Sequence, residues 1–256
     1  MAQITDRIAL GIEYDGSRFL GWQTQAQTPT VQSELERALG QVADHPITVH
    51  GAGRTDTGVH AAVQVAHFDA PCVREPKAWV LGTNTHLPDD LRVLWAVPVA
   101  VDFNARFSAV SRRYCYRIMN RSVRPALARL NHAWVAKKLD EGLMHQAAQA
   151  LLGEHDFSAF RASSCQARHA TRRMTALSVT RQGETVTLSI EGNAFLHHMV
   201  RNIVGSLLLV GKAEKPPEWI FQLLTGRDRR RAGPTAPAAG LTLEQVVYPA
   251  AFGIPA

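Results

Sequence analysis

Cysteine is scarce in this sequence, long apolar runs are missing, and the short signatures of the common cofactor sites do not occur. Only Cys72, Cys115 and Cys165 are present, far apart, odd in number and never in a C-x-x-C spacing. That excludes a disulfide framework and a cysteine zinc site, and it fits a reducing, cytoplasmic setting. The longest apolar run, Ile203 to Val210, is interrupted by Gly205 and Ser206 and closed by Lys212. It falls far short of the roughly 20 residues a membrane span needs and reads as a buried helix. The first eleven residues carry Asp6 and Arg7 without an apolar h-region, so no secretory signal is expected. Low-complexity stretches are also lacking, which argues against disorder.

What the chain does have is ordinary core material, with 46% hydrophobic and 20% charged residues in 256. Its net charge of +6 is unevenly spread. Residues 1–104 hold 7 Lys/Arg and 12 Asp/Glu, a net of −5; residues 105–256 hold 21 and 10, a net of +11. Arginine dominates the basic half, in the groups Arg112, Arg113 and Arg117, then Arg168, Arg172 and Arg173, then Arg227, Arg229, Arg230 and Arg231. A planar guanidinium suits phosphate oxygens and stacks on bases, so the bias points toward a nucleic-acid partner.

The patterning alternates strand and helix. Arg7 to Tyr14 reads as a strand closed by the Asp15-Gly16 turn, and Thr30 caps a helix over Val31 to Val42. Ile47 to His50 and Val63 to Phe68 read as strands, Pro76 opens a short helix, and Leu91 to Val99 is a further strand. In the second half, Arg113 to Met119 alternates as a strand with Tyr114, Tyr116 and Ile118 on one face. Asp140 caps a helix through Leu152, and strands Ala176–Arg181 and Thr185–Glu191 flank the turn at Gln182-Gly183. Helices over Phe195 to Val210 and Glu218 to Leu224, then a strand from Leu243 to Tyr248, complete the series. Each half, 1–104 and 105–256, is thus roughly β-α-β-β-α-β. The expected fold class is α+β, two tandem ferredoxin-like halves joined in one mixed sheet. The clearest loop, Arg227 to Gly240, reads either as a solvated connector or as a basic segment laid on RNA backbone.

The most informative segment is Gly51 to Ala61, GAGRTDTGVHA, between two predicted strands. Glycine there lets backbone approach a ligand closely, and Arg54 and Asp56, two apart, face the same side if the piece is extended. The run lacks the Lys-Ser/Thr ending of a P-loop and the G-x-G-x-x-G spacing of a dinucleotide site. Asp56-Thr57-Gly58 spells the triplet of aspartic proteases, but no second D-T-G or D-S-G supplies the partner carboxylate. A plain turn role for Asp56 remains the structural alternative. The eleven histidines hold no metal-ligand spacing: His60 and His67 are seven apart and His197-His198 are adjacent. The H-x-E with P-C-x-x-C of zinc deaminases is absent too, since Pro71-Cys72 has no second cysteine.

GAGRTDTGVHA resembles the signature of the tRNA pseudouridine synthase A family. The resemblance extends over the whole chain through GIEYDGSRFLGWQ, ARFSAVSRRYCYRI, GEHDFSAFR, EGNAFLHHMVRNIVG and APAAGLTLEQVVY, in family order. It implies the pseudouridine synthase fold and isomerisation of uridines in the anticodon stem-loop of tRNA by a homodimer, with no cofactor and no metal. Asp56 would be the catalytic residue, as nucleophile toward ribose or base, or as base at the sugar; all three routes stay open. Tyr114 would lie against the target uracil, Arg201 would pair with the catalytic carboxylate, and Arg54 would take the space of the everted nucleotide. The non-enzymatic alternative is an RNA-binding module that kept the fold and lost turnover.

Overall fold

A computed structural model describes residues 6–26 and 29–255; residues 1–5, at the start of the expected first half, lie outside them. By its contacts the chain divides into two compact units, residues 1–110 with 243–256, and residues 111–242.

The first unit runs β1 (Asp6–Tyr14), α1 (Val31–Ala43), β2 (His50–Gly51), β3 (His60–Ala70), α2 (Pro76–His86) and β4 (Leu91–Val99). Its strands lie in the order β4-β1-β3, antiparallel, with β2 on β3. This is the β-α-β-β-α-β order expected of a ferredoxin-like half. α1 begins where the sequence says it must. The Thr30 hydroxyl accepts from Ser33 N, and Ser33 Oγ accepts from Thr30 N, closing a capping box. Leu35 and Leu39, four apart, face inward and are fully buried, each worth about 1.5 to 3 kcal/mol of burial. Phe68 and Trp79 meet edge to face with ring centroids 5.1 Å apart.

Of the expected 47–50 strand only His50 pairs, opposite His67, and the pairing continues one residue beyond it with Gly51 opposite Ala66. Ile47 to Val49 carry β-prone side chains without ladder partners, because Val49 N is held by the Glu36 carboxylate and Val49 O by Gln32 instead.

The second unit runs β5 (Ser111–Asn120), β6 (Ala133–Val135), α3 (Glu141–Ala148), β7 (Gly153–Asp156), β8 (Thr171–Gln182), β9 (Thr185–Gly192), α4 (Met199–Gly211) and α5 (Trp219–Gly226). The last strand, β10 (Leu241–Val247), crosses the point where the chain returns to the first unit. The order β5-α3-β8-β9-α4-β10 repeats the β-α-β-β-α-β pattern, with β6, β7 and α5 added. Strands β5-β9-β8-β7 are antiparallel neighbours and β6 joins β5 in parallel, so the sheet is mixed.

α4 starts at Met199, four residues later than its apolar pattern suggests. His198 sits at φ +60° in the left-handed region and cannot be part of the helix. The helix capped by Asp140 tightens into a 3-10 turn over Gln149–Leu151, and Gly153 at φ +94° leads straight into β7. Among the described residues no helix is long and apolar enough to cross a membrane. Cys72, Cys115 and Cys165 form no disulfide.

Candidate active site

The loop between β2 and β3 is fastened from behind through one residue, Thr55. The buried Thr55 hydroxyl lies 2.8 Å from Tyr14 Oη, and its carbonyl accepts from Trp22 N at 3.0 Å. Gln64 Nε2 donates to Gly53 O at 2.7 Å, and Ala52 N to Val65 O at 2.7 Å. With Thr55 turned inward, its neighbours Arg54 and Asp56 turn outward: Arg54 is exposed and Asp56 half-buried. The same-side placement read from their spacing follows from this alternation.

Beyond Asp56 the chain reverses at once. Val59 N donates to Asp56 O at 3.1 Å, closing a four-residue turn whose third position is Gly58 at φ +79°. That position of a type II turn requires positive φ, so the Asp-Thr-Gly triplet is turn geometry rather than half of a protease dyad. His60 and Ala61 then open β3.

The segment Gly11 to Gln23 builds the support. β1 pairs regularly with β3 until the register shifts between Ile12 and Tyr14, an irregularity of the kind that re-aims a side chain. Gly21 takes φ +88°, and a Cβ there would come 2.7 Å from the Thr55 carbonyl oxygen, so both conformation and space demand glycine. Gly21 O and Trp22 O accept from Val31 N and Gln32 N, which ties the support to the start of α1. Tyr14, Gly21 and Trp22 are therefore positioning residues. The sequence signalled them only as part of a matching block.

In the second unit Tyr114 lies on β5 opposite Ile190 and is buried, with the Phe195 ring edge-on at 4.9 Å. Tyr116, two residues on, donates to Pro237 O at 2.8 Å, and burial holds its phenol above the usual tyrosine range, against an opposing pull from the Arg201 charge. Arg201 sits in the first turn of α4, half-buried, with Nε donating to Ala236 O at 2.8 Å, while Ala236 N returns a bond to Arg201 O. A cation at a helix N-terminus opposes the macrodipole, and this first turn holds no acid to offset it. Such placement costs stability locally, as does the left-handed His198 beside it.

The Arg227–Gly240 loop is strapped along α4. Arg229 donates to Asn202 Oδ1 at 2.9 Å, Gly233 O at 2.9 Å and Thr235 Oγ1 at 3.2 Å. Gly233 N donates to Ser206 Oγ at 3.0 Å. Gly205 faces the Pro234 carbonyl so closely that any Cβ would collide with it. Arg230 pairs with Asp228, and Arg231 is exposed. Of the two readings of this segment, neither is quite right for Arg229, which is a half-buried fastener rather than a solvated charge or an open phosphate ligand.

Thus Arg54 and Asp56 share one loop of the first unit, and Tyr114 and Arg201 stand on β5 and α4 of the second. The chain is matched by the model of a family described as tRNA pseudouridine synthase, over residues 11–108 and 147–249. It is 59% identical over 251 residues to "tRNA pseudouridine synthase A" of Stenotrophomonas maltophilia strain K279a, covering 98% of each chain. The protein of the same name from Xanthomonas oryzae pv. oryzae strain PXO99A is 56% identical over 252 residues, again covering 98% of each. Among solved structures, a chain in "Crystal Structure of a Cbf5-Nop10-Gar1 Complex" is similar at TM-score 0.41 and 12% identity, over 92% of this chain and 48% of that one.

Proposed function

Since the chain belongs to the tRNA pseudouridine synthase family, we propose that it isomerises uridine to pseudouridine in the anticodon stem-loop of tRNA, with Asp56 as the catalytic residue. The reaction breaks the C1′–N1 bond, turns the uracil and joins C1′ to C5. The hydrogen on C5 leaves as a proton and N1 gains one, so atoms and electrons balance without a redox partner or energy donor.

Asp56 acts as nucleophile at ribose or base, or as the base that takes a sugar proton. Arg54 fills the space left by the everted nucleotide, which offsets part of the roughly few kcal/mol that unstacking costs. Tyr114 lies against the uracil and offers a hydroxyl to relay the C5 proton. Arg201 pairs with the Asp56 carboxylate. By the family resemblance the enzyme is cytoplasmic and works as a homodimer, one tRNA touching both subunits.

The observation that carries this reading is the loop fastened through an inward Thr55, which leaves Arg54 and Asp56 facing outward together. The test is release of tritium from tRNA labelled at uridine C5. The wild-type protein is expected to release it and Asp56→Asn to release none while still binding tRNA. Turnover by the Asn variant would remove Asp56 from the mechanism.

A further inference from the structure

The block ARFSAVSRR, from Ala105 to Arg113, matched the family as a whole, yet its first residues have no part in the chemistry above. The structure gives them an unusual arrangement within the first unit. Phe107 is 78% exposed. Single exposed apolar side chains are ordinary on protein surfaces and need no special account. This one differs in how firmly its backbone is held and in what covers its face.

Residues 104–108 form one closed turn. Asn104 Oδ1 accepts from Arg106 N at 3.0 Å and from Phe107 N at 3.1 Å. Ser108 Oγ accepts from Asn104 N at 3.0 Å, and Ser108 N donates to Asn104 O at 2.9 Å. The turn is pinned at Ala105, whose N–H donates to His67 Nδ1 at 3.2 Å and whose carbonyl accepts from Tyr248 Oη at 2.6 Å. Below it the buried Phe103 packs among His67, Tyr248 and Phe252. The scaffold leaves the Phe107 ring in solvent, with the Arg106 guanidinium 5.4 Å from its centroid.

An aromatic face on a turn held by this many hydrogen bonds, with a cation over it, is suited to a flat anionic ligand. The ring stacks a base, the guanidinium answers a phosphate, and little ordering entropy is left to lose on binding. Within the first unit Arg106 is the turn's own charge, and Asp102, the nearest acid before it in sequence, lies near enough to Arg7 to interact with its charge. Protein interfaces also collect aromatic rings and arginines, so the choice of RNA rests on the pairing itself, a ring that stacks a base beside a guanidinium that answers its phosphate.

We propose that Phe107 and Arg106 form a stacking site for an unpaired base of the tRNA, a positioning contact separate from the groups that carry out the isomerisation. The proposal rests on the reading above that tRNA is the substrate. The experiment uses the full chain as wild type, Phe107→Ala, Phe107→Leu and Phe107→Trp, each checked for an unchanged melting curve. Each is titrated into tRNAs in which one unpaired purine at a time is replaced by 2-aminopurine, and steady-state tritium release is measured in parallel.

One 2-aminopurine position is expected to be quenched by wild type and by the Trp variant, and not by Ala or Leu. The KM for tRNA should rise roughly 5- to 100-fold in Ala and Leu, with kcat within about threefold. Unchanged KM and quenching in the Ala variant would overturn the proposal. So would rescue by Leu together with a change in oligomeric mass in the Ala variant, which would assign the ring to contact with another copy of the chain. A wild-type protein that releases no tritium would sink the tRNA reading instead, and that outcome is separately visible.

Discussion

The loop after β2 is fastened through Thr55, a small uncharged residue turned inward, and its arginine and carboxylate are left facing outward. The loop after α5 is fastened through Arg229 itself, whose guanidinium holds Asn202, Gly233 and Thr235 against α4. Both segments are glycine-bearing and charged in sequence. The difference lies in which side chain holds the backbone. Where a neutral residue anchors the loop, its hydroxyl and carbonyl do the holding; where the charge anchors it, the formal charge count overstates the surface.

The sharpest break of this comparison is Asp56→Asn, which leaves the anchoring intact and removes the outward carboxylate. Pseudouridine formation in single turnover should fall by about 10³-fold or more, with tRNA affinity changed by less than roughly threefold. Gly205→Ala should be the next largest effect, because the new methyl meets the rigid Pro234 carbonyl. A loss of about 3 kcal/mol in urea unfolding is expected.

Arg229→Ala should then cost about 2 kcal/mol, since its hydrogen bonds hold the strap, while Arg230→Ala, an exposed pair with Asp228, should leave the unfolding midpoint unchanged. Equal effects of the two would erase the distinction between fastener and surface charge. Thr55→Val tests the other loop. It should cost about 1 kcal/mol of stability and lower kcat about tenfold or more at unchanged KM, because the carboxylate is displaced rather than removed.

The smallest effect is titration at the root of the loop between β2 and β3. His67, opposite His50 in the β2–β3 pair, is held down to a pKa of about 4 by burial first, then by the charges of Arg7 and His50. The folded state therefore binds this proton less readily than the unfolded chain, whose histidine titrates near 6.5. Its contribution to stability is complete above about pH 6.5 and is lost progressively as pH falls toward 4. Protonation also removes the acceptor for Ala105 N. Unfolding free energy should drop as pH falls across that window, and His67→Gln should flatten the slope.

Much of the fold was legible because its signals are local. Thr30 followed by Ser33 and the Leu35/Leu39 pair define α1 within a dozen residues, and the apolar alternation of Leu91–Val99 matches β4 end to end. β6 and β7, three and four residues long, carry no period to read, and they exist only because a neighbouring strand offers them partners. The start of α4 was misplaced because apolar Phe195 and Leu196 continue its pattern, whereas the left-handed His198 is a backbone fact. At the site, Arg54 and Asp56 were readable from motif and spacing, but the service of Tyr14 and Gly21 to Thr55 was not. Those contacts close over more than thirty positions of sequence. Asn202, likewise, gives no hint in sequence that it will engage Arg229.

The inward threonine makes Arg54 and Asp56 two arms on a single axle. A change at Tyr14 or Gly21 that tips the axle swings both arms, so neither can be re-aimed alone by altering the support. Adjusting the cation's reach independently of the acid's position leaves one handle, the length of the side chain at position 54.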